Sequence, residues 1–129
     1  MKIYNLINES QLAEVVSFWL PIIKKKKIVL LNGDLGSGKT TFIKELAKQL
    51  GIKEKITSPS FNYMKVYNGL IHIDLYNYKG DINEFEDYFE DNVIAIEWAN
   101  LFNLDYKNYV EVNASLNNDE NHTFEIKEF

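Results

Sequence analysis

Arginine and cysteine are both missing from the 129 residues of this chain. Without cysteine, the chain has neither a disulfide framework nor a thiolate metal site. All 14 basic residues are lysines, so no arginine of the chain can stabilise the negative charge that develops during phosphoryl transfer. A phosphoryl-transfer enzyme built from this sequence would be slow, would use a lysine instead, or would take the missing group from a partner.

Positive charge and long apolar runs are also scarce. The net charge of −5 and the pI of about 5.0 argue against an extended nucleic-acid-binding surface. No apolar run approaches the ~20 residues that span a bilayer, and the polar N-terminus lacks the apolar region of a signal peptide. With 46% apolar residues, the length suits one domain over residues 1–129. We therefore expect a soluble cytoplasmic protein without a membrane partner.

The stretch from Gly33 to Thr41 reads GDLGSGKTT and contains the pattern G-x-x-x-x-G-K-T. Glycines in this pattern let successive backbone N–H groups point inward and form a nest for phosphate oxygens. Lys39 would reach the β- and γ-phosphates, and the Thr40 hydroxyl would bind Mg²⁺. The N-terminus of the following helix would add partial positive charge.

The segments on both sides of this stretch distinguish a phosphate-binding loop from a chance glycine turn. Ile28–Leu31 is a continuous apolar run, which is typical of a buried parallel strand. After the loop, apolar residues recur at helical spacing from Phe42 to Leu50, and Gly51 would end that helix. Strand, glycine-rich loop and helix follow one another in the order that a P-loop requires.

The N-terminal part of the chain predicts a strand and a helix before the central strand. Residues 2–7 favour a short strand, and Asn8 with Gln11 three residues later predicts a capped helix start. This turn is either a cap alone or also a support for adenine. Pro21 is expected to mark the end of the helix or a point near its end. The four lysines Lys24–Lys27 suit a solvated turn, with a membrane or nucleic-acid patch as the alternative.

A loop with hydroxyl side chains and a hairpin are predicted after the P-loop helix. Thr57–Ser60 lies where many P-loop proteins have a switch segment that senses the γ-phosphate. Phe61–Tyr67 alternates, Asn68-Gly69 predicts a two-residue hairpin turn, and Leu70–Asp74 is the returning strand. A nucleotide kinase normally reaches its next strand through a helical crossover instead.

Three segments complete the chain. Asp81–Asp91 carries six carboxylates in eleven residues beside an apolar stripe at helical spacing, so it is either a solvated helix or a docking face for a basic partner. Val93–Glu97 is a second buried-strand pattern that ends in an acid, as a Walker B element requires. Tyr109–Asn113 and His122–Lys127 predict a C-terminal hairpin at the sheet edge.

With these pieces placed, the chain resembles the TsaE (YjeE) family of bacterial P-loop ATPases, which are needed to make threonylcarbamoyladenosine in transfer RNA. The resemblance extends from about residue 5 to residue 113 and keeps the family's order. It is carried by GDLGSGKTTF at Gly33–Phe42, SPSFNYMKVY at Ser58–Tyr67, HIDLYNY at His72–Tyr78, DYF at Asp87–Phe89 and IEW at Ile96–Trp98.

The resemblance implies roles for individual residues. Lys39 and the Gly36–Thr41 backbone would bind the phosphates of ATP, and Thr40 and Glu97 would bind Mg²⁺. Asp74 matches an acid needed for ATP turnover, which would hold the attacking water or lie behind the metal ligands. The implied nucleotide-binding residues are Gly33, Gly36, Ser37, Gly38, Lys39, Thr40, Thr41, Ser60 and Trp98, and the implied catalytic residues are Lys39, Asp74 and Glu97.

Two departures from the family pattern bear on these roles. Asn77 stands where the family has an arginine after the LY pair, and the stretch before DYF is shorter than usual. The role of that arginine, in nucleotide contact or in partner docking, is therefore open in this chain. Ser60 replaces the family's usual threonine and keeps its hydroxyl.

The resemblance also implies partners and a fold. The family's ATPase works with TsaB and TsaD, and TsaD modifies adenosine in transfer RNAs that read codons beginning with A. This chain would then meet transfer RNA only through the complex. We expect a three-layer α/β P-loop domain whose mixed sheet has parallel strands at its centre and antiparallel hairpins at its edges.

Three other functions are alternatives to this interpretation. A small-molecule kinase needs a basic lid, and a GTPase switch needs an N-K-x-D segment to read guanine; neither occurs in the sequence. A nucleotide-dependent docking module, in which hydrolysis is incidental, stays open as the alternative to an ATPase subunit.

Overall fold

A mixed sheet forms the centre of the structure, a computed structural model that describes residues 2–6, 8–59, 62–119 and 121–129. Within these residues the sheet has seven strands in the order β1-β7-β6-β2-β5-β4-β3. The helices and strands are β1 (Lys2–Asn5), α1 (Glu9–Lys26), β2 (Ile28–Asn32), α2 (Lys39–Gln49), β3 (Met64–Tyr67), β4 (Leu70–Asp74), β5 (Val93–Glu97), β6 (Val110–Leu116) and β7 (His122–Glu128), with 3₁₀ helices at Ile82–Tyr88 and Ala99–Leu101.

Parallel strands form the middle of this sheet. β2 pairs in parallel with β5 on one side and with β6 on the other, and β4 pairs in parallel with β5. The hairpins β3–β4 and β6–β7 are antiparallel, as is the pairing of β1 with β7. Because the register places Leu31 beside Glu97, the end of β5 lies next to the loop that leaves β2.

The two faces of the sheet are covered by different structures. α1 and α2 pack on one face, where Trp19, Phe42 and Phe124 are buried with the aliphatic side chains of the strands. On the other face, Phe85 of the first 3₁₀ helix packs with Tyr78 beneath the loops. The sheet is therefore the middle layer of three, and the expected α/β fold with a mixed sheet is confirmed.

Two expectations about α1 are wrong. Pro21 lies inside α1, which continues to Lys26. Proline lacks an N–H, but its backbone angle is compatible with a helix, and the burial of Trp19 and Ile23 on either side holds this segment against the sheet. Lys24–Lys27 is consequently the last helical turn and its cap instead of a separate turn. Its lysines face the partial negative charge of the helix C-terminus.

Two further segments differ from expectation. The acidic segment forms a 3₁₀ helix over Ile82–Tyr88 instead of a longer amphipathic helix. The C-terminal hairpin forms as expected, but β1 pairs with β7, so the edge of the sheet is β1. The β3–β4 hairpin turns at Asn68-Gly69 as predicted, with Tyr67 opposite Leu70. None of the helices in the described residues combines the length and the apolar character that crossing a membrane requires.

Candidate functional site

The loop between β2 and α2, residues 33–38, is packed so tightly that only glycine fits at two positions. Gly33 has φ +142°, and a Cβ atom there would lie 2.3 Å from the carbonyl oxygen of Ala114. Gly38 has φ +117°, and a Cβ atom there would lie 2.9 Å from Nδ1 of His122. Both contacts are shorter than a carbon atom allows, so the glycines let the loop lie directly against β6 and β7.

The N-terminus of α2 opens from this loop without a side-chain cap. Gly38 is the N-cap residue, adopts a left-handed conformation and makes no capping side-chain hydrogen bond. The first turn of α2 contains no acidic residue. Since the first N–H groups of a helix have no carbonyl partner within it, such an end is suited to bind an anion.

Lys39, the first residue of α2, is held by the loop itself. Its side chain is buried, and Nζ donates hydrogen bonds to the carbonyl oxygens of Gly33 and of Asp34, the latter at 3.0 Å. Nζ also lies 4.1 Å from the ring centroid of Trp98. Burial lowers the pKa of Lys39, while the nearby carboxylate of Glu97 partly offsets this effect. The ammonium is therefore held at the floor of the loop.

Glu97, at the end of β5, is a buried carboxylate with a partner for each oxygen. Its exposed fraction is 3%. The Thr40 hydroxyl donates to Oε1 at 3.2 Å, and Nε2 of His72 lies 2.6 Å from Oε2. The three side chains come from α2, β5 and β4, so the fold as a whole forms this cluster.

Asp74 is the second acid of the site. It lies beside Glu97 in the register of β4 and β5 and is half-buried. Burial raises the pKa of Asp74, the hydrogen bond from the backbone N–H of Tyr76 at 3.0 Å lowers it, and the charge of Glu97 raises it. Asp74 therefore keeps its proton more readily than an ordinary aspartate does.

Trp98 follows Glu97 in a left-handed backbone conformation, with φ 60°. This conformation is strained for a residue with a large side chain. It directs the indole over Lys39 and against Tyr76, whose ring centroid lies 5.0 Å away. The backbone of this turn is tied to the end of β4, because the N–H of Leu75 donates to the Glu97 carbonyl at 3.1 Å.

Most of the predicted site residues line one cleft of about 320 Å³. Ser58 of the predicted switch segment also lines it, and Ser60 lies outside the described residues. Gly33 and Ser37 are not among the lining residues; both form the packed underside of the loop, where a Cβ on Gly33 would lie 2.5 Å from the Ser37 hydroxyl. The predicted residues in the lining are Gly36, Gly38, Lys39, Thr40, Thr41, Asp74, Glu97 and Trp98.

Two histidines belong to this region and were not predicted from the sequence. His122, the first residue of β7, lines the cleft, and its Nδ1 lies 2.8 Å from the carbonyl oxygen of Ser37. Because a carbonyl only accepts, this Nδ1 carries the hydrogen. His72 contacts Glu97 from within the sheet. The HIDLYNY motif contains His72 and could have pointed to it, whereas nothing local marks His122.

The Asn8–Gln11 turn forms a cap in the structure. The Asn8 side chain accepts from the backbone N–H of Gln11 at 3.1 Å, and the Gln11 side chain accepts from the backbone N–H of Asn8 at 3.2 Å. This is the reciprocal arrangement of a capping box. Asn77, which the resemblance in sequence matched to an arginine, is exposed with φ 62° in the turn after β4.

The donor atoms at the site fit a magnesium ion that arrives with phosphates. Among the described residues, no group of three or more His, Cys, Asp or Glu side chains could hold a metal ion. Mg²⁺ is usually bound through one or two protein carboxylates and completed by phosphate oxygens and water. Glu97 with the Thr40 hydroxyl provides such a minimal set, beside the glycine-rich loop and the uncapped N-terminus of α2.

Comparison with known proteins gives a consistent result. The family model described as "Threonylcarbamoyl adenosine biosynthesis protein TsaE" matches residues 6–125. Proteins named "tRNA threonylcarbamoyladenosine biosynthesis protein TsaE" are similar to this chain. The relative from Rickettsia felis is 38% identical over 105 residues, which cover 74% of this chain and 61% of the relative. The relative from Borreliella burgdorferi is 42% identical over 98 residues, which cover 66% and 68% of the two chains.

A solved structure is also similar to this chain in its fold. The crystal structure of YdiB from Bacillus subtilis superposes with a TM-score of 0.69 and covers 95% of this chain and 82% of its own. The two chains are 25% identical in sequence. The similarity therefore extends over the three layers of the fold and not only over the glycine-rich loop.

Proposed function

The chain belongs to the TsaE family of threonylcarbamoyl adenosine biosynthesis proteins, and from this we propose that it binds and hydrolyses ATP. We propose further that its activity is required for threonylcarbamoyladenosine modification of transfer RNAs that read codons beginning with A, together with TsaB and TsaD. The observation that carries the proposal is the cleft in which the glycine-rich loop, Lys39 and the hydrogen-bonded Thr40–Glu97 pair meet.

The phosphates of ATP would lie over the loop and the first turn of α2. The uncapped N–H groups of this turn would donate to phosphate oxygens. Lys39 would move from the carbonyl oxygens that it now contacts towards the β- and γ-phosphates. Gly36 supports this arrangement, because a Cβ atom there would meet nothing within 4 Å, so the loop is open on its outer side.

Thr40 and Glu97 would hold the Mg²⁺ that accompanies ATP. The ion would neutralise charge on the phosphate oxygens. Thr40 already orients its hydroxyl towards Glu97, so the two ligands are paired before binding. Asp74 lies beside Glu97 at the end of the neighbouring strand. Its carboxylate would orient the attacking water and accept a proton from it. We therefore keep Glu97 as the metal ligand and Asp74 as the catalytic acid–base group.

The partner dependence follows from the charges of the cleft. Lys39 is the only lysine among the described residues that line it, and the sequence contains no arginine. Hydrolysis by the isolated chain should therefore be slow, because Lys39 is the one cationic side chain of the described lining that would assist Mg²⁺ in stabilising the charge that develops on the phosphates. A cation from TsaB or TsaD would complete the site. Transfer RNA would be contacted only through the complex.

The test is ATP hydrolysis measured with the chain alone, with TsaB and TsaD, and with transfer RNA added. We expect slow hydrolysis by the chain alone and a clear increase with the partners. The Lys39→Met variant serves as the control for contaminating ATPases. Fast hydrolysis by the chain alone that does not change with TsaB and TsaD would contradict the proposal.

A docking module with incidental hydrolysis is the second candidate, and the single cleft lysine favours it. The two candidates differ in what a Glu97→Ala variant would do in a reconstituted modification assay. If this variant binds ATP but supports no modification, hydrolysis is the essential step. Normal modification with the variant would favour docking alone.

A further inference from the structure

His72 is a fully buried histidine that the proposed function does not yet use. We propose that it is a positioning residue that fixes the carboxylate of Glu97 so that one oxygen faces Thr40 and the metal position. This inference rests on the function proposed above. It assigns to the site a residue that would touch neither nucleotide nor metal.

The sheet brings the two side chains together. β4 and β5 run parallel, with His72 beside Ala95 and Asp74 beside Glu97. Alternate residues of a strand point to the same face, so His72 and Glu97 both point towards the face that α2 covers. The imidazole Nε2 then reaches Oε2 of Glu97 at 2.6 Å, and Oε1 is left to accept from Thr40 at 3.2 Å.

The hydrogen bond has a defined direction. An ionised carboxylate only accepts, so Nε2 of His72 carries the hydrogen and donates it. A buried carboxylate with one oxygen held in this way cannot rotate about its last torsion without breaking the bond. In metal sites, the groups that hydrogen-bond to the ligands fix ligand orientation in the same manner.

The other imidazole nitrogen argues against a purely structural role. Nδ1 of His72 is buried and has no hydrogen-bond partner among the described residues. Leaving a buried polar atom unpaired costs free energy, and an apolar side chain at this position would avoid that cost. Its strand neighbours Ile71 and Ile73 are completely buried and apolar. The unpaired nitrogen is tolerated, we infer, because the opposite nitrogen is needed by Glu97.

The experiment compares nucleotide affinity with and without metal in four variants. Isothermal titration calorimetry would give the ATP dissociation constant in Mg²⁺ and in EDTA, and urea unfolding would give stability. The His72→Gln side chain places an amide N–H near the position of Nε2, whereas the His72→Asn side chain is too short to reach Glu97. His72→Leu removes the donor altogether. Leu70→Val, on the same strand and also completely buried, controls for a simple loss of packing.

We expect the affinity gain from Mg²⁺ to fall by about tenfold or more in His72→Leu and His72→Asn, as is usual when a group supporting a metal ligand is removed. Affinity in EDTA should stay within about twofold, because the phosphate-binding loop is not touched. His72→Gln should keep most of the affinity gain from Mg²⁺. Leu70→Val should lower stability and leave the affinity gain from Mg²⁺ unchanged. If His72→Leu does not fold, the comparison of Gln with Asn decides.

Two results would overturn the inference. One is an affinity gain from Mg²⁺ in His72→Asn or His72→Leu that is as large as in the wild type. The other is an equal loss of that gain in His72→Gln, His72→Asn and Leu70→Val, which would mean that His72 acts only through packing. Failure of the proposed function would look different, because the wild-type chain itself would then bind ATP no better with Mg²⁺ than with EDTA.

Discussion

A methyl group at Gly33 should test how tightly the glycine-rich loop is packed against the sheet. The Cβ of Gly33→Ala would lie 2.3 Å from the carbonyl oxygen of Ala114 and 2.5 Å from the hydroxyl of Ser37. The Ser37 hydroxyl can rotate away, but the Ala114 carbonyl belongs to the backbone of β6, so the loop or the strand must move. Overpacking of this kind costs about 1–3 kcal/mol, and the left-handed backbone at φ +142° adds about 1–3 kcal/mol for alanine.

The expected loss of about 2–6 kcal/mol is a large part of the ~5–15 kcal/mol that stabilises a typical domain. Urea unfolding followed by circular dichroism would measure it as a lower midpoint with an unchanged slope. Gly36→Ala and Gly69→Ala are matched controls, since φ is +78° and +98° there but nothing lies within 4 Å of the added atom. They should lose only the backbone contribution of about 1–3 kcal/mol. Equal midpoints for Gly33→Ala and Gly36→Ala would refute the reasoning.

Three further substitutions test other parts of the structure. Lys39→Met should weaken ATP binding by about tenfold or more, the equivalent of one charge-assisted hydrogen bond; an unchanged dissociation constant in calorimetry would remove this lysine from the phosphate site. Pro21→Ala should stabilise the chain by about 1–3 kcal/mol in urea unfolding, because it restores a helical N–H in α1, and a loss of stability would mean that proline is preferred there. Tyr78→Phe should cost about 1–3 kcal/mol, since the single hydrogen of the hydroxyl is shared between two acceptors, the carboxylate of Glu84 and the carbonyl of Asp81; a midpoint equal to wild type would show that water replaces the hydroxyl.

The parts of the site that could be predicted from the sequence are those specified by short stretches of chain. The glycine-rich loop needs only its own glycines and the strand and helix next to it, and all three are contiguous between Ile28 and Gln49. The position of Glu97 could be predicted because an acid at the end of a buried strand lies at the carboxyl ends of the parallel strands, where the loop also lies. The register of β2 with β5, Leu31 beside Glu97, confirms that adjacency.

The parts that could not be predicted depend on contacts between distant segments. His122 and Ser37, which are in contact, are 85 residues apart in the sequence. They meet because β6 of the β6–β7 hairpin pairs with β2, the strand before the loop. The contact of His72 with Glu97 depends on the register of β4 with β5, which sets both side chains on one face of the sheet; a slip of one residue would turn the β4 side chains to the other face. The helix continues past Pro21 because the burial of neighbouring side chains against the sheet outweighs the helix penalty of proline. This contribution comes from tertiary packing, so the local sequence does not reveal it.

The charges of the cleft lead to a last prediction, which concerns Asp74. Among the described residues, the lining holds one lysine and two acids, Asp74 and Glu97, so a polyphosphate meets net negative charge unless a divalent cation comes with it. Asp74→Asn removes one of these charges and keeps an oxygen that can accept from the N–H of Tyr76. ATP affinity in EDTA should therefore rise several-fold in Asp74→Asn, while hydrolysis falls. An affinity in EDTA below that of the wild type would contradict this view of the cleft.

The same variant links the cleft to pH. Because the folded pKa of Asp74 lies above the ordinary value of 3.8, the folded chain binds more protons than the unfolded chain between the two values, and stability falls as pH rises through that window. Above the window, the charged Asp74 reduces stability, and asparagine removes this reduction. Asp74→Asn should thus be more stable than the wild type at pH 7 in urea unfolding, with the difference disappearing below pH 3.8. A stability difference between Asp74→Asn and the wild type that stays constant with pH would mean that the variant is stabilised by packing. Burial of the charge would then not be the cause of the raised pKa of Asp74.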